Sequence, residues 1–239
     1  MNLTSRQITI LKAIIEEYID TALPVGSDML EKKYTLSVSP ATIRNEMVLL
    51  TKQGFLKKPH TSAGRIPTPM ALKYFVKNLL KQDELPVSEE VSVKEQVWDM
   101  RHEKDRLIAE ATRALASRSN ALAFASTEDG TLCHAGAANI LDFPEFYDID
   151  LTKTVLALLD RTAFWHSLYQ RPIGDDPFYL LLGDEFGDEP YRACGFLYSK
   201  FMTADGSGMI GVVGPYRLAY GRLIPMVRYF GDLLTELGR

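Results

Sequence analysis

Cysteine is scarce: Cys133 and Cys194 are the only two among 239 residues. Two thiols so far apart make neither a disulfide framework nor a zinc site, so free, buried thiols in a reducing compartment are expected. No uninterrupted apolar run approaches about 18 residues, which leaves no candidate membrane span. The opening MNLTSRQITI is polar and amphipathic rather than secretory in pattern, so a cytoplasmic protein is expected. The four histidines, His60, His102, His134 and His166, are widely spaced and match no metal-ligand pattern. No glycine-rich phosphate loop follows an expected strand, and no nucleophile elbow occurs. The acidic pairs Asp175-Asp176 and Asp184-Glu185 sit in turn-like settings, where solvated carboxylates are the default. No catalytic residue, metal or cofactor is expected, and the chain reads as a non-enzyme.

What is present is an ordinary globular composition, 46% hydrophobic and 24% charged, with length enough for one large domain or two modest ones. The net charge of −4 conceals an asymmetry. Residues 1–82 carry twelve Lys and Arg against six Asp and Glu, a net of +6; the remainder carries fifteen against twenty-five, a net of −10. A basic module that meets a polyanion, carried by an acidic body, has this distribution.

Within the basic part, Thr4 and Gln7 are spaced for a capping box, with Leu3 and Ile8 at staple positions around it. Ile8, Leu11, Ile15 and Tyr18 then recur at helical spacing, and the proline and glycine of LPVG end the helix near Thr21. Ser27 is placed to cap a short second helix, Asp28 to Lys33, with Met29 and Leu30 facing inward. A third helix starts with Ser39 as N-cap and Pro40 at the first helical position. On it Ile43, Met47 and Leu50 fall within about 40° of one another on a helical wheel, marking the core side. The opposite side carries Ala41, Asn45, Val48 and Lys52, flanked by Thr42 and Arg44. This is the layout of a helix-turn-helix, though a plain three-helix bundle would share it.

The stretch PHTSAGRIPT (59–68) favours the first reading. Gly54 ends the third helix, Phe55 to Lys58 and Arg65 to Thr68 have the makings of two short strands, and Thr68 and Pro69 open a fourth helix with Leu72, Tyr74, Phe75 and Leu79 as packing residues. Three helices followed by a hairpin make a winged helix. Gly64 would let the wing turn at positive φ, and Pro59 and Pro67 stiffen its arms. The expected DNA-binding surface comprises Ser39, Thr42, Arg44, Asn45 and Lys52 on the third helix. Lys57, Lys58, His60, Thr61, Ser62, Gly64 and Arg65 of the wing complete it, their donors suited to phosphates and narrow grooves.

Four stretches carry a family resemblance: LTSRQITILKAIIEEYIDTALPVGS (3–27), SPATIRNEMVLLTKQGFLKKPHTSAGRIPT (39–68), GAANILDFPEF (136–146) and MIGVVGPYRLAYGRLIPMV (209–227). They resemble the heat-inducible transcription repressors of the HrcA type, from near the start of the chain to near its end. The resemblance implies a homodimeric repressor of chaperone genes that binds double-stranded DNA at an inverted-repeat operator. It also implies a GAF-like C-terminal domain and support of the active form by a GroE-type chaperonin. By position it makes the ATIRNEM helix (41–47) and the PHTSAGR wing (59–65) the operator contacts. This sequence departs from the family in two places. Its middle is shorter, where the family's dimerisation segment lies, and the family's GPTRMDY reads here as Gly214-Pro215-Tyr216-Arg217-Leu218-Ala219-Tyr220, with an acidic residue lost and an aromatic gained.

The expected organisation is α+β: a winged helix-turn-helix over 1–82, an acidic linker (83–92) and connecting helix up to residue 120, and a GAF-like regulatory and dimerisation domain with a mainly antiparallel sheet over 121–239. In the connecting helix Val93, Val97, Met100, Leu107, Ala111 and Ala114 have near-heptad spacing, interrupted by Lys104. That pattern fits either packing on its own domain or a weak dimer zipper. ALAFAS, FYLLLG, ACGFLYS and GMIGVVG read as strands, Leu151 to Tyr169 and Arg222 to Leu237 as helices, and GAANILDFPEF as a turn with a short helix anchored by Phe143 and Phe146. Val155, Leu158, Leu159 and Trp165 fit a core stripe. A sensor pocket in this half stays open, so the alternative function is a ligand-sensing regulator of other genes. A winged helix used for protein contacts is a third reading.

Overall fold

The computed structural model describes residues 3–36, 38–81, 84–171, 176–186 and 191–239. They fall into two compact units, Met1–Lys81 and Gln82–Arg239.

The first unit holds α1 (Ser5–Thr21), α2 (Ser27–Lys33), α3 (Pro40–Lys52), a hairpin of β1 (Leu56–Lys57) and β2 (Ile66–Pro67), and α4 (Pro69–Asn78). The capping box is formed: the Thr4 amide donates to Gln7 Oε1 at 3.1 Å, and the Gln7 amide to Thr4 Oγ1 at 3.2 Å. Ile10, Leu11, Ile14, Ile15 and Tyr18 are buried, whereas Ile8 is only half-buried. The buried face is wider than a single stripe because α1 packs against α3, β2 and α4 together. Ser27 does not cap α2; Gly26 holds the cap position, and Ser27 lies inside the helix with its hydroxyl on Asp28. Met29 is half-buried beside a buried Leu30.

Helix α3 begins as expected on Ser39 and Pro40 and buries Ile43, Met47 and Leu50. It ends in a Schellman arrangement: Gly54 has φ +84°, its amide donates to Thr51 O at 3.1 Å, and the Phe55 amide reaches back to Leu50 O at 3.0 Å. Leu50 and Phe55 are both buried, so the C-cap is also a packing contact that aims the chain into β1. The hairpin pairs Leu56 with Pro67 and Lys57 with Ile66. Val25 pairs its backbone with Arg65 on the other side, at 2.8 and 2.9 Å. A single extended residue has no periodicity, so this third arm left no trace in the sequence pattern. Gly64 does not sit at positive φ; a Cβ there would come within 2.3 Å of the Val25 carbonyl oxygen. Close approach of two backbones requires the glycine, not the turn.

The second unit is a five-stranded antiparallel sheet in the order β4-β3-β7-β6-β5, with β3 Leu122–Thr127, β4 Leu132–Ala135, β5 Tyr179–Leu182, β6 Cys194–Thr203 and β7 Gly206–Pro215. Strand β4 was not expected, because TLCHA lacks alternation and lies half-exposed at the sheet edge. Helices α6 (Lys104–Ser119) and α9 (Tyr220–Leu237) pack on the sheet, and α5 (Val87–Trp98) packs on both. A second core unites Phe124, Phe196, Tyr198 and Val213 of the strands with Ile140, Phe146, Val155, Leu158 and Trp165. In register, Gly211 lies between Phe124 and Tyr198, and any Cβ there would strike Tyr198.

Two expected helices are broken. The chain from residue 87 to Ser119 is a pair, α5 and α6, joined by the turn 99–103, and α5 takes up part of the stretch read as a linker. The near-heptad thus splits between two helices: Val93 and Val97 on one, Leu107, Ala111 and Ala114 on the other, all buried within their own unit. The Gln96 amide nitrogen donates to Glu110 at 3.0 Å, and Arg118 reaches Ser92 and Gln96. Leu151 to Tyr169 likewise divides into α7 (Ile149–Leu156), a 3-10 turn (Ala157–Asp160) and α8 (Thr162–Tyr169). The fold-back lets the Trp165 indole donate to Leu158 O at 2.7 Å, so both residues enter one core. GAANILDFPEF forms two 3-10 turns, Ala137–Asp142 and Pro144–Tyr147.

Candidate nucleic-acid interface

Helix α3 presents Ala41, Arg44, Asn45, Val48 and Lys52 to solvent, with Thr42 half-buried. The Ser39 hydroxyl accepts the Thr42 amide at 3.3 Å and lies 3.0 Å from the Thr42 hydroxyl, so both polar groups cluster at the helix N-terminus. The positive helix end, with these hydroxyls beside it, suits a phosphate there. Arg44 leans over α2, 3.7 Å from Asp28 and 3.4 Å from the Ser27 hydroxyl, with 68% of its side chain exposed. An exposed pair of this kind is worth little, so the guanidinium is available to a stronger anion. Asn45 is exposed in the middle of the face.

Glu46 adds a feature the sequence reading passed over. It accepts from Gln7 Nε2 at 3.2 Å and lies 3.5 Å from Arg6. These contacts tie the α3 carboxylate to the start of α1 and offset its charge near a surface that would meet phosphates. No pattern in consecutive residues could reveal it, since the partners are 39 residues apart.

The hairpin loop carries Lys57, Lys58, His60, Thr61 and Ser62, all exposed. Lys58 Nζ donates to the Thr61 carbonyl, the Ala63 amide to His60 O at 3.0 Å, and the Ser62 hydroxyl lies 3.4 Å from His60 Nδ1. The loop is thus internally ordered. Arg65 is placed differently from these. It is half-buried, and its Nε donates to Thr51 Oγ1 of α3 at 3.1 Å while Nη1 reaches Gly64 O at 3.4 Å. The Thr51 bond joins hairpin to helix, and the Val25–Arg65 backbone pair holds the same residue from the other side.

In the second unit the histidines lie on separate elements: His102 in a turn, His134 on β4 and His166 on α8, where His166 Nε2 is 2.8 Å from Gln170. Among the described residues no group of three His, Cys, Asp or Glu could hold a metal ion. Cys194 is buried and its thiol is pushed up to about 12 by burial; Cys133 is half-buried and raised in the same direction, first by burial and then by Asp105. Glu185 accepts the Leu182 amide at 2.9 Å. Asp175 and the Asp184 side chain lie outside the described residues. No helix among the described residues is long and apolar enough to cross a membrane.

The model of the HrcA protein C-terminal domain matches residues 71–224. A heat-inducible transcription repressor HrcA from Chloroflexus aurantiacus is 42% identical over an alignment covering 98% of this chain and 94% of that protein. The chain belongs to the HrcA family. A second HrcA repressor, from a Roseiflexus species, is 25% identical, covering 99% of this chain and 94% of the relative. A crystal structure of a hypothetical protein at 2.2 Å resolution superposes with a TM-score of 0.78 at 17% identity, covering 99% and 98% of the two chains, which shows shared fold. The Chloroflexus alignment spans 349 positions against 239 residues here, so at least 110 of them hold no residue of this chain.

The HrcA motifs of the second unit converge on one ion pair. Arg217 of GPYRLAY donates through Nε to Glu145 Oε1 at 2.5 Å and through Nη2 to Oε2 at 3.0 Å, and Glu145 belongs to GAANILDFPEF. Arg217 is buried and its guanidinium lies 5.8 Å from the Phe143 ring. The departure at Ala219 also has a location: it is the N-cap of α9, with no side-chain hydrogen bond.

Proposed function

We propose that the first unit is a winged helix that binds duplex DNA, and that the chain is a dimeric transcriptional repressor of heat-shock genes acting on an inverted-repeat operator. The observation that carries this is the exposed α3 face, with Asn45 at its centre, beside a cationic, internally ordered hairpin tied to the same helix through Arg65 and Thr51. Each α3 would enter a major groove, with Asn45 and Arg44 at base edges and Ser39, Thr42, Lys52, Lys57, Lys58, His60, Thr61 and Ser62 on phosphates. Gly64 and Arg65 would shape the hairpin. The names of the HrcA relatives support the repressor role and the heat-shock genes.

The test is selection from random duplexes followed by titration at several salt concentrations. With about three to five phosphates neutralised per subunit, the logarithmic salt slope of the dimer is about −5 to −9. Asn45→Ala or Arg44→Ala lowers discrimination at one base pair by about 1–3 kcal/mol, whereas Lys58→Ala weakens every sequence alike. Equal losses on operator and random DNA for all three would remove the readout assignment. The reading also includes support by a GroE-type chaperonin, measured as a rise in operator occupancy when chaperonin is added.

One observation favours a second reading, a ligand-sensing regulator: the Tyr198 hydroxyl is buried in the aromatic core with no hydrogen-bond partner among the described residues. A thermal-shift screen decides it, because a specific ligand raises the midpoint with its concentration.

A further inference from the structure

Helix α5 has one face spent and one face bare. Val93 and Val97 are buried, and the Glu90 carbonyl accepts from the Tyr229 hydroxyl at 2.7 Å. Turned away from them, Val87, Val91 and Trp98 are 73%, 50% and 42% exposed. At about 100° per residue these three fall within an arc of about 40°, so they form one stripe. Lys94 and Glu95 sit between Val91 and Trp98 at its centre. Lys94 Nζ and the Arg101 guanidinium lie 5.7 and 4.6 Å from the Trp98 ring, which fixes the indole in place at the surface.

We propose that this stripe is the contact between two copies of the chain, with the α5 helices crossing antiparallel about a two-fold axis between Lys94 and Glu95. The argument is self-complementarity. A two-fold contact must match a surface to itself reversed. Reversed about that point, the order Val91, Lys94, Glu95, Trp98 sets each Val91 against the partner's Trp98, and each Lys94 against the partner's Glu95. One apolar contact and one ion pair are thereby made twice. Lys94 is engaged at home by an exposed pair with Glu236 at 2.7 Å and by the Trp98 ring; the exposed pair competes weakly. A contact through a single 12-residue helix is at the small end of specific interfaces, so the dimer dissociates on dilution, and DNA carrying two half-sites strengthens it. The inference names the subunit contact of the repressor proposed above and rests on that reading only for its purpose.

Sedimentation of the full chain over a concentration series tests it. Wild type is expected to pass from monomer to dimer with rising concentration. Val91→Glu, Lys94→Glu and Glu95→Lys should each give monomer throughout, with circular dichroism unchanged. The exchanged variant Lys94→Glu/Glu95→Lys should regain the dimer, because the reciprocal pairs are restored with signs reversed. Loss of its own Glu236 partner would not be repaired by that exchange, so recovery excludes a merely local effect. A wild type that stays monomeric, or a dimer that persists in all three single variants, overturns the proposal. If the chain dimerises in this way but selects no DNA sequence, the contact stands and the operator reading fails. If Val91→Glu still binds a single half-site duplex while losing the dimer, both stand.

Discussion

Arg65 is a basic side chain with a hydrogen-bond partner on the neighbouring helix. Its Nε bond to Thr51 Oγ1 holds the hairpin against α3, while Thr51 donates in turn to Met47 O at 2.7 Å. A positioning role predicts that Thr51→Val reproduces Arg65→Ala: both lower operator affinity, by at most the 1.5–3 kcal/mol or so of a charge-assisted hydrogen bond, and both leave the salt slope unchanged. Lys58→Ala should instead make the slope shallower by about 1. A silent Thr51→Val beside an Arg65→Ala with a reduced slope would return Arg65 to the phosphate backbone. In the second unit, Asp129 accepts the Thr127 hydroxyl at 2.6 Å and the Thr131 amide at 2.9 Å, and these bonds hold its carboxyl at about 2, below the usual 3.8. A depressed carboxylate contributes stability above its unfolded pKa and loses it as pH falls toward the folded value. The stability advantage of wild type over Asp129→Asn, read from urea unfolding, should therefore shrink between about pH 4 and pH 2. A difference constant across that window would refute it.

Among the elements, α9 is the one that starts badly. Its N-cap is Ala219, exposed and offering no side-chain acceptor to the first-turn amides. The family resemblance puts an acidic residue at this place, and an aspartate there would accept one of those orphan donors and face the positive helix end. Ala219→Asp should stabilise the chain by about 0.5–2 kcal/mol, seen as a raised midpoint in thermal unfolding. An unchanged or lowered midpoint would mean that the local backbone, with ψ 70° at this residue, cannot present the side chain. The helices also show where sequence patterns hold and fail. α1, α3 and α4 were legible because caps, prolines and apolar spacing all agreed. α5 with α6, and α7 with α8, were each read as one helix, because a 3.6-residue stripe continues across a break when both pieces bury the same kind of residue.

On the scale of the whole molecule, the second unit is joined by a contact between segments 72 residues apart, the Glu145–Arg217 pair. Removing one partner of a buried pair costs about 3–5 kcal/mol. Glu145→Gln or Arg217→Met alone should cost that much in urea unfolding, and the double variant should recover a large part. Additive losses would mean the two act separately. The same scale holds the limits of inference from consecutive residues. The helical order of the first unit, its hairpin and the exposure of Asn45 follow from caps, glycine, proline and periodicity, which are properties of neighbours along the chain. So do most of the strands. Tertiary structure alone decided that Val25 joins the hairpin, that Gly64 is needed for space, that Arg65 turns inward to Thr51, that Glu46 is offset from α1, and that α5 keeps a bare apolar stripe. Each of these depends on which distant segment is brought alongside, and the energy of such a meeting is written in no local pattern.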